Sequence, residues 1–126
     1  MIEYLALPYS HKSERVMVER AAISDFIFSE LSKEGRIIYA PISSCHYVAR
    51  THSMPTDWRF WGKMGKTFVE ASDRVLVIPL PGWEKSVGLI AEMKIAIAAG
   101  IDIEFLDLRY YMNEFGKARR AKRNGS

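Results

Sequence analysis

The run Asp73–Leu80, DRVLVIPL, is the strongest constraint on how this chain can fold. Val75, Leu76, Val77 and Ile78 follow one another with no polar residue between them. A strand with one wet face alternates apolar and polar residues. An unbroken aliphatic run needs apolar cover on both faces, which is the position of an interior strand in a parallel sheet.

The flanking sequence supplies that cover. IEYLALPYS is a short apolar run stopped by Pro8, RIIYAPISS is a second strand ended by proline, and IDIEFLDL is a last one. Between them lie helical patterns. From about Lys12 to Glu34, Val16, Ala22 or Ile23, Phe26 or Ile27, and Leu31 recur at helical spacing, and Gly35 suits the position after the last turn. DWRFWGKMGKTFVEAS is a second helix, capped by Thr56 or Asp57, with Trp58, Trp61, Met64 and Phe68 on one side. A third runs from about Val87 to Gly100, whereas residues 46–56 read as loop. This alternation predicts an α/β fold with right-handed crossovers. Its simplest form is a small doubly wound, flavodoxin-like (Rossmann-like) parallel sheet of four to five strands with helices on both faces. Residues 1–110 form the single expected domain, and 111–126 an extension that begins as a short helix and ends as a disordered basic tail.

Charge narrows the partners. The chain has 18 basic and 15 acidic residues, but five of the basic ones lie in the last ten residues, KARRAKRNGS, which hold no acid. The remainder therefore has 13 basic against 15 acidic residues, a body near −2. Nucleic acid would be reached only through the tail. Cys45 is the single cysteine, so there is no internal disulfide, and His11, His46 and His52 lack metal-ligand spacing. Neither a metal nor a cofactor is expected. With no basic leader and no apolar stretch of spanning length, a soluble, cytoplasmic protein without membrane partners is expected.

Parallel sheets of this kind bind ligands beyond the carboxyl ends of their strands. That rule selects three loops: Pro8–Ser13, Pro41–His46 and Pro79–Gly88. In the third, Ser86 opens a helix and Gly88 leaves room for a ligand near its backbone, an arrangement that favours an anion. Ser86 equally suits an ordinary cap, and Pro81 and Gly82 an ordinary turn. Glu92 follows among Leu89, Ile90, Met93 and Ile95, so it either reaches solvent at an edge or is held for use. Tyr9 and Ser10 offer hydroxyls to a sugar or base, or simply close a turn. Ser43 and His46, with Ser44 and Cys45, follow the second strand, and a nucleophile–histidine pair there lacks an orienting acid. Trp58, Phe60 and Trp61, with Tyr47, either stack on a base or belong to the core.

Three segments, YLALPYS, PTDWRFW and above all LPGWEKSVGLIAE, carry a resemblance. The chain resembles, from about Tyr4 to Asp107, a small family allied to the nucleoside 2-deoxyribosyltransferases. The resemblance implies N-glycosidic bond chemistry: a helix glutamate, matched by Glu92, attacks the anomeric carbon, the base leaves, and a covalent glycosyl-enzyme passes the sugar to water or to another base. Ser86, Gly88 and Glu92 are spaced as in similar deoxynucleoside 5′-monophosphate N-glycosidases, which implies a phosphorylated substrate. From their own positions and chemistry, Tyr9, Ser10, Ser43, His46, Trp61 and Gly82 are the further residues expected to bind substrate, and the resemblance implies a homo-oligomer, a dimer or higher. The pattern departs at the second acid. Relatives carry an aspartate in the helix before the third strand, where this chain has Gly62, Lys63, Gly65 and Lys66, leaving Asp57 as the substitute acid. A nucleotide-binding protein without turnover is the alternative, and a tail-driven nucleic-acid accessory protein a third.

Overall fold

In the computed structural model, which describes residues 1–125, each crossover is bracketed by the signals that start and stop helices. Ser13 caps α1 (Glu14–Lys33) by accepting a hydrogen bond from the Val16 amide, and Gly35, at φ +87°, turns the chain into β2 (Ile37–Tyr39). β1 (Ile2–Ala6) precedes this unit. After β2 come α2 (Pro41–Thr51), α3 (Trp58–Glu70) and β3 (Arg74–Val77). A 3₁₀ turn (Trp83–Lys85), α4 (Val87–Ala98), β4 (Asp102–Phe105) and α5 (Leu108–Gly125) complete the described chain.

The four strands are all parallel, in the order β2-β1-β3-β4. The expected doubly wound α/β fold is therefore the one observed, with four strands. The chain leaves β1 in one direction for β2 and later returns on β1's other side as β3, so the topological switch point lies between β1 and β3.

The two-residue period of β1 divides the core. Leu5 and Leu7, with Leu76 and Ile78, pack under Ala21, Ile27 and Leu31 of α1 and Tyr111 of α5. Tyr4 and Ala6, with Val75 and Val77, face Val69 of α3 and Leu89 and Ala96 of α4. β3 is sealed on both sides, as its composition demands: Val75 through Ile78 have no exposed surface. At the amino end of the sheet, buried Glu3 receives a two-pronged bond from Arg36, at 2.8 and 2.7 Å, and a contact from Arg74 at 3.4 Å.

Two expectations are corrected. Neither Pro41–His46 nor the whole of 46–56 is loop, because α2 covers Pro41–Thr51. Pro41 occupies the first turn of α2, where its missing N–H costs nothing and its fixed φ suits the helix, so it ends β2 by starting a helix. Ile42 and Ala49, two turns apart, bury the inner face of α2. The basic tail is likewise helical to Gly125. Its alanines, lysines and arginines are good helix formers. Arg119 lies over the Phe115 ring and bonds Glu19 of α1 at 2.9 Å, tying the extension down; Ser126 lies outside the described residues. No helix among the described residues is long and apolar enough to cross a membrane.

Candidate functional site

A cavity of about 460 Å³ opens at the carboxyl ends of β1 and β3, between α2, α3 and the start of α4. This is the place the strand order selects, and the volume falls within the ~300–1,000 Å³ typical of small-molecule sites. The structure brings Tyr9, Ser10, His46, Asp57, Trp61, Ser86, Gly88 and Glu92 together around it. Two expected residues lie elsewhere. Ser43 turns to α1, sharing a 2.8 Å hydrogen bond with buried Ser24. Gly82 takes φ +90° to start the 3₁₀ turn, a backbone role, and its neighbour is Arg20.

Glu92 is the buried carboxylate of the cavity wall. One and a half turns into α4, it is only 8% exposed, and its Oε2 accepts a hydrogen bond from the Tyr4 hydroxyl. Burial raises its pKa to about 7, with the Tyr4 hydrogen bond pulling the other way. The Tyr4 hydroxyl is itself pushed well above the ordinary tyrosine range, chiefly by burial and further by the neighbouring carboxylate, so it remains a donor. Sequence reasoning left Tyr4 in the strand core. Its signal was there: Tyr4 and Ala6 alternate onto the α4 side of β1, and Tyr4 carries the one hydroxyl of that strand.

The start of α4 has the expected form. Ser86 accepts a hydrogen bond from the Leu89 amide at 3.2 Å, and Lys85, just before it, also lines the cavity. A helix amino end beside a lysine and a serine suits an anion. The Ser86 cap bond is also worth about 1 kcal/mol to the helix without any ligand.

Trp58 accounts for the glycines of α3. Its indole lies along its own helix, so a Cβ added at Gly62 would stand 2.9 Å from Trp58 Cε2, and one at Gly65 2.8 Å from Trp58 Cζ3. Across the cavity wall a Cβ at Gly88 would meet the same ring at 3.6 Å. The three glycines therefore form the bed of one tryptophan, and the Gly65 position also faces the Tyr4 hydroxyl, at 3.6 Å. Asp57 is the backbone N-cap residue of α3, but its exposed side chain makes no cap bond. The Trp61 Nε1–H donates to the Pro55 carbonyl at 2.6 Å, which orients that ring against the preceding loop.

On the α2 side, His46 and Tyr9 share a 2.5 Å hydrogen bond through His46 Nδ1, their rings edge to face at 5.5 Å. Burial lowers the His46 pKa and raises that of Tyr9. Cys45 is also pushed up by burial, so its thiol stays protonated, and the partner of His46 is Tyr9. The nucleophile–histidine pair considered for this segment is not assembled. The Ser10 hydroxyl donates to the Thr56 carbonyl, closing the β1 loop against the entry to α3.

Arg20 of α1, which sequence reasoning did not single out, joins the two loops of the switch point. It donates to the carbonyls of Tyr9 and Ser10 at 3.3 Å each and to that of Pro81 at 3.2 Å. Three backbone carbonyls converging on one guanidinium hold the loops after β1 and β3 in register, an arrangement no local sequence pattern announces.

No curated protein matches the chain. A family model covers residues 1–107, the whole α/β unit up to the start of α5, and the chain therefore belongs to the family described as Domain of unknown function (DUF1937).

Proposed function

We propose that this protein cleaves, or transfers across, the N-glycosidic bond of a nucleoside 5′-monophosphate or nucleoside through a covalent glycosyl-glutamate on Glu92. The observation that carries this reading is a buried carboxylate on the wall of a cavity at the switch point, held by a tyrosine hydroxyl. A sugar developing oxocarbenium character at C1′ needs an anionic oxygen close to one face. Glu92 supplies that oxygen from a desolvated position, where its charge acts most strongly. A 5′-phosphate at the start of α4, met by Ser86, Lys85 and free backbone amides, would position C1′ through remote binding energy. Trp58 and Trp61 give the cavity the aromatic surface a base needs.

A second reading is favoured by one feature of α3. Gly62 and Gly65 form a bed for Trp58, and the carboxylates lining the cavity are Glu92 and the exposed Asp57. A protein of this shape that holds a nucleotide without turnover would show that combination.

The deciding experiment measures base release from deoxynucleoside 5′-monophosphates and free deoxynucleosides, wild type beside Glu92→Ala. Release that is confined to the monophosphates and abolished in the variant is the expected result. Saturable nucleotide binding with no release from any substrate would replace the enzyme with the binding protein.

A further inference from the structure

The cavity has a second polar pole that the glutamate chemistry does not use. Tyr9 and His46 line both the main cavity and an adjoining one that holds Glu14 and Arg50, so the pair stands on the partition between them. Tyr9 is fixed from two directions: Arg20 grips its carbonyl, and its hydroxyl meets His46 Nδ1. The other ring nitrogen, Nε2, makes no hydrogen bond to any described residue.

We infer that His46, held by Tyr9, is the hydrogen-bond donor to the departing base, a role that rests on the N-glycosidase reading. With the Tyr9 O–H donating to Nδ1, the imidazole carries its proton on Nε2. As an Oε atom of Glu92 bonds to C1′, the C1′–N bond breaks and its electron pair leaves with the base. The base departs as an anion with its charge spread over ring nitrogens and carbonyl oxygen. Nε2–H hydrogen-bonds to that charge and keeps its proton; water protonates the base after release.

Burial supports this form of the ring. It holds His46 below the ordinary histidine value, which favours neutral imidazole near neutral pH, the state that donates without being an acid. The charged neighbours are Arg50, which works in the same direction, and Asp25 and Glu14, which oppose it. A donor already oriented by Tyr9 and Arg20 needs little reorganisation as charge develops on the base. It also supplies leaving-group help in a chain whose α3 offers glycines where the resemblance implies an aspartate.

The test exploits a base that leaves without negative charge. The 5′-monophosphates of deoxyguanosine and 7-methyldeoxyguanosine are compared, since the methylated base departs neutral. His46→Ala is expected to lower kcat/KM on the first by about 10²–10³-fold and on the second by less than about tenfold. His46→Gln, which keeps a donor, should recover part of the loss, and Tyr9→Phe should fall between wild type and His46→Ala on the first substrate only. Retained activity on the methylated nucleotide also shows that each variant folds. Equal losses on both substrates would overturn the donor role and leave the glycosidase reading standing. A wild type that releases neither base would overturn both. Wild-type rates in Glu92→Ala, with the leaving-group dependence of His46→Ala intact, would remove the glycosyl-glutamate alone.

Discussion

Tyr4 and Glu92 lie 88 residues apart in the chain and meet as a buried hydroxyl–carboxylate hydrogen bond across the seam between β1 and α4. The strand places the phenol and the helix places the acid. Burial at that seam raises the Glu92 pKa to about 7, and the Tyr4 hydrogen bond pulls it the other way.

The pH dependence of catalysis follows from that titration. On the proposed reading, attack on C1′ requires ionised Glu92, so kcat/KM should rise with pH and level off above about 7. Tyr4→Phe removes the bond that favours the carboxylate, so its limb should move to higher pH. A wild-type profile flat from pH 5 to pH 8 would refute the assignment.

The same shift has a consequence for stability. The folded pKa is raised from 4.5 to about 7, so the native state binds a proton more tightly than the unfolded chain. The contribution of Glu92 to stability is therefore most favourable below pH 4.5, declines as pH rises, and levels off above about 7, a total loss of about 2–4 kcal/mol. Glu92→Gln should accordingly unfold at a higher temperature than wild type at pH 8, while the gap closes near pH 4. Calorimetry at the two pH values checks this.

Ser86→Ala separates a cap from a phosphate ligand. Loss of the cap alone costs about 1 kcal/mol of stability and treats nucleosides and nucleotides alike. If the hydroxyl also meets a phosphate, affinity for a 5′-monophosphate should fall by about tenfold or more while that for the free nucleoside holds, as read by titration calorimetry.

Gly65→Ala tests the tryptophan bed. Alanine gains helix propensity, but its Cβ would press on Trp58 at 2.8 Å, and that ring is backed by Gly88. Overpacking should prevail, lowering stability by about 1–3 kcal/mol and altering the tryptophan emission.

Glu3 gives the opposite pH behaviour at the far end of the sheet. Its hydrogen bond from Arg36, opposed by burial and helped by Arg74, holds its carboxyl below the usual value. That stability is present above the unfolded pKa of 4.5 and is lost as pH falls through the lower folded value. Glu3→Gln should cost about 1.5–3 kcal/mol at pH 7 and little in strong acid, with the base-release activity per folded molecule unchanged.

What the sequence determined by itself was the architecture. The aliphatic run of β3, the cap at Ser86, and the helix stops at Gly35 and Gly100 are local signals, each readable within a few residues, and together they allow little besides a parallel α/β sheet. The edge of that sheet, and Glu92 on the helix behind it, were legible for the same reason. Where local signals conflict the reading failed: Pro41 stops a strand and starts a helix with equal ease, and a basic terminus of good helix formers is helical once Arg119 finds Glu19. Only the tertiary structure decided the partners. Tyr4 on Glu92, Tyr9 on His46, Ser43 on Ser24, and Arg20 across two loops all join residues far apart in sequence. Such pairings depend on strand order and on the rotation of each helix about its axis, and packing of the whole core sets both.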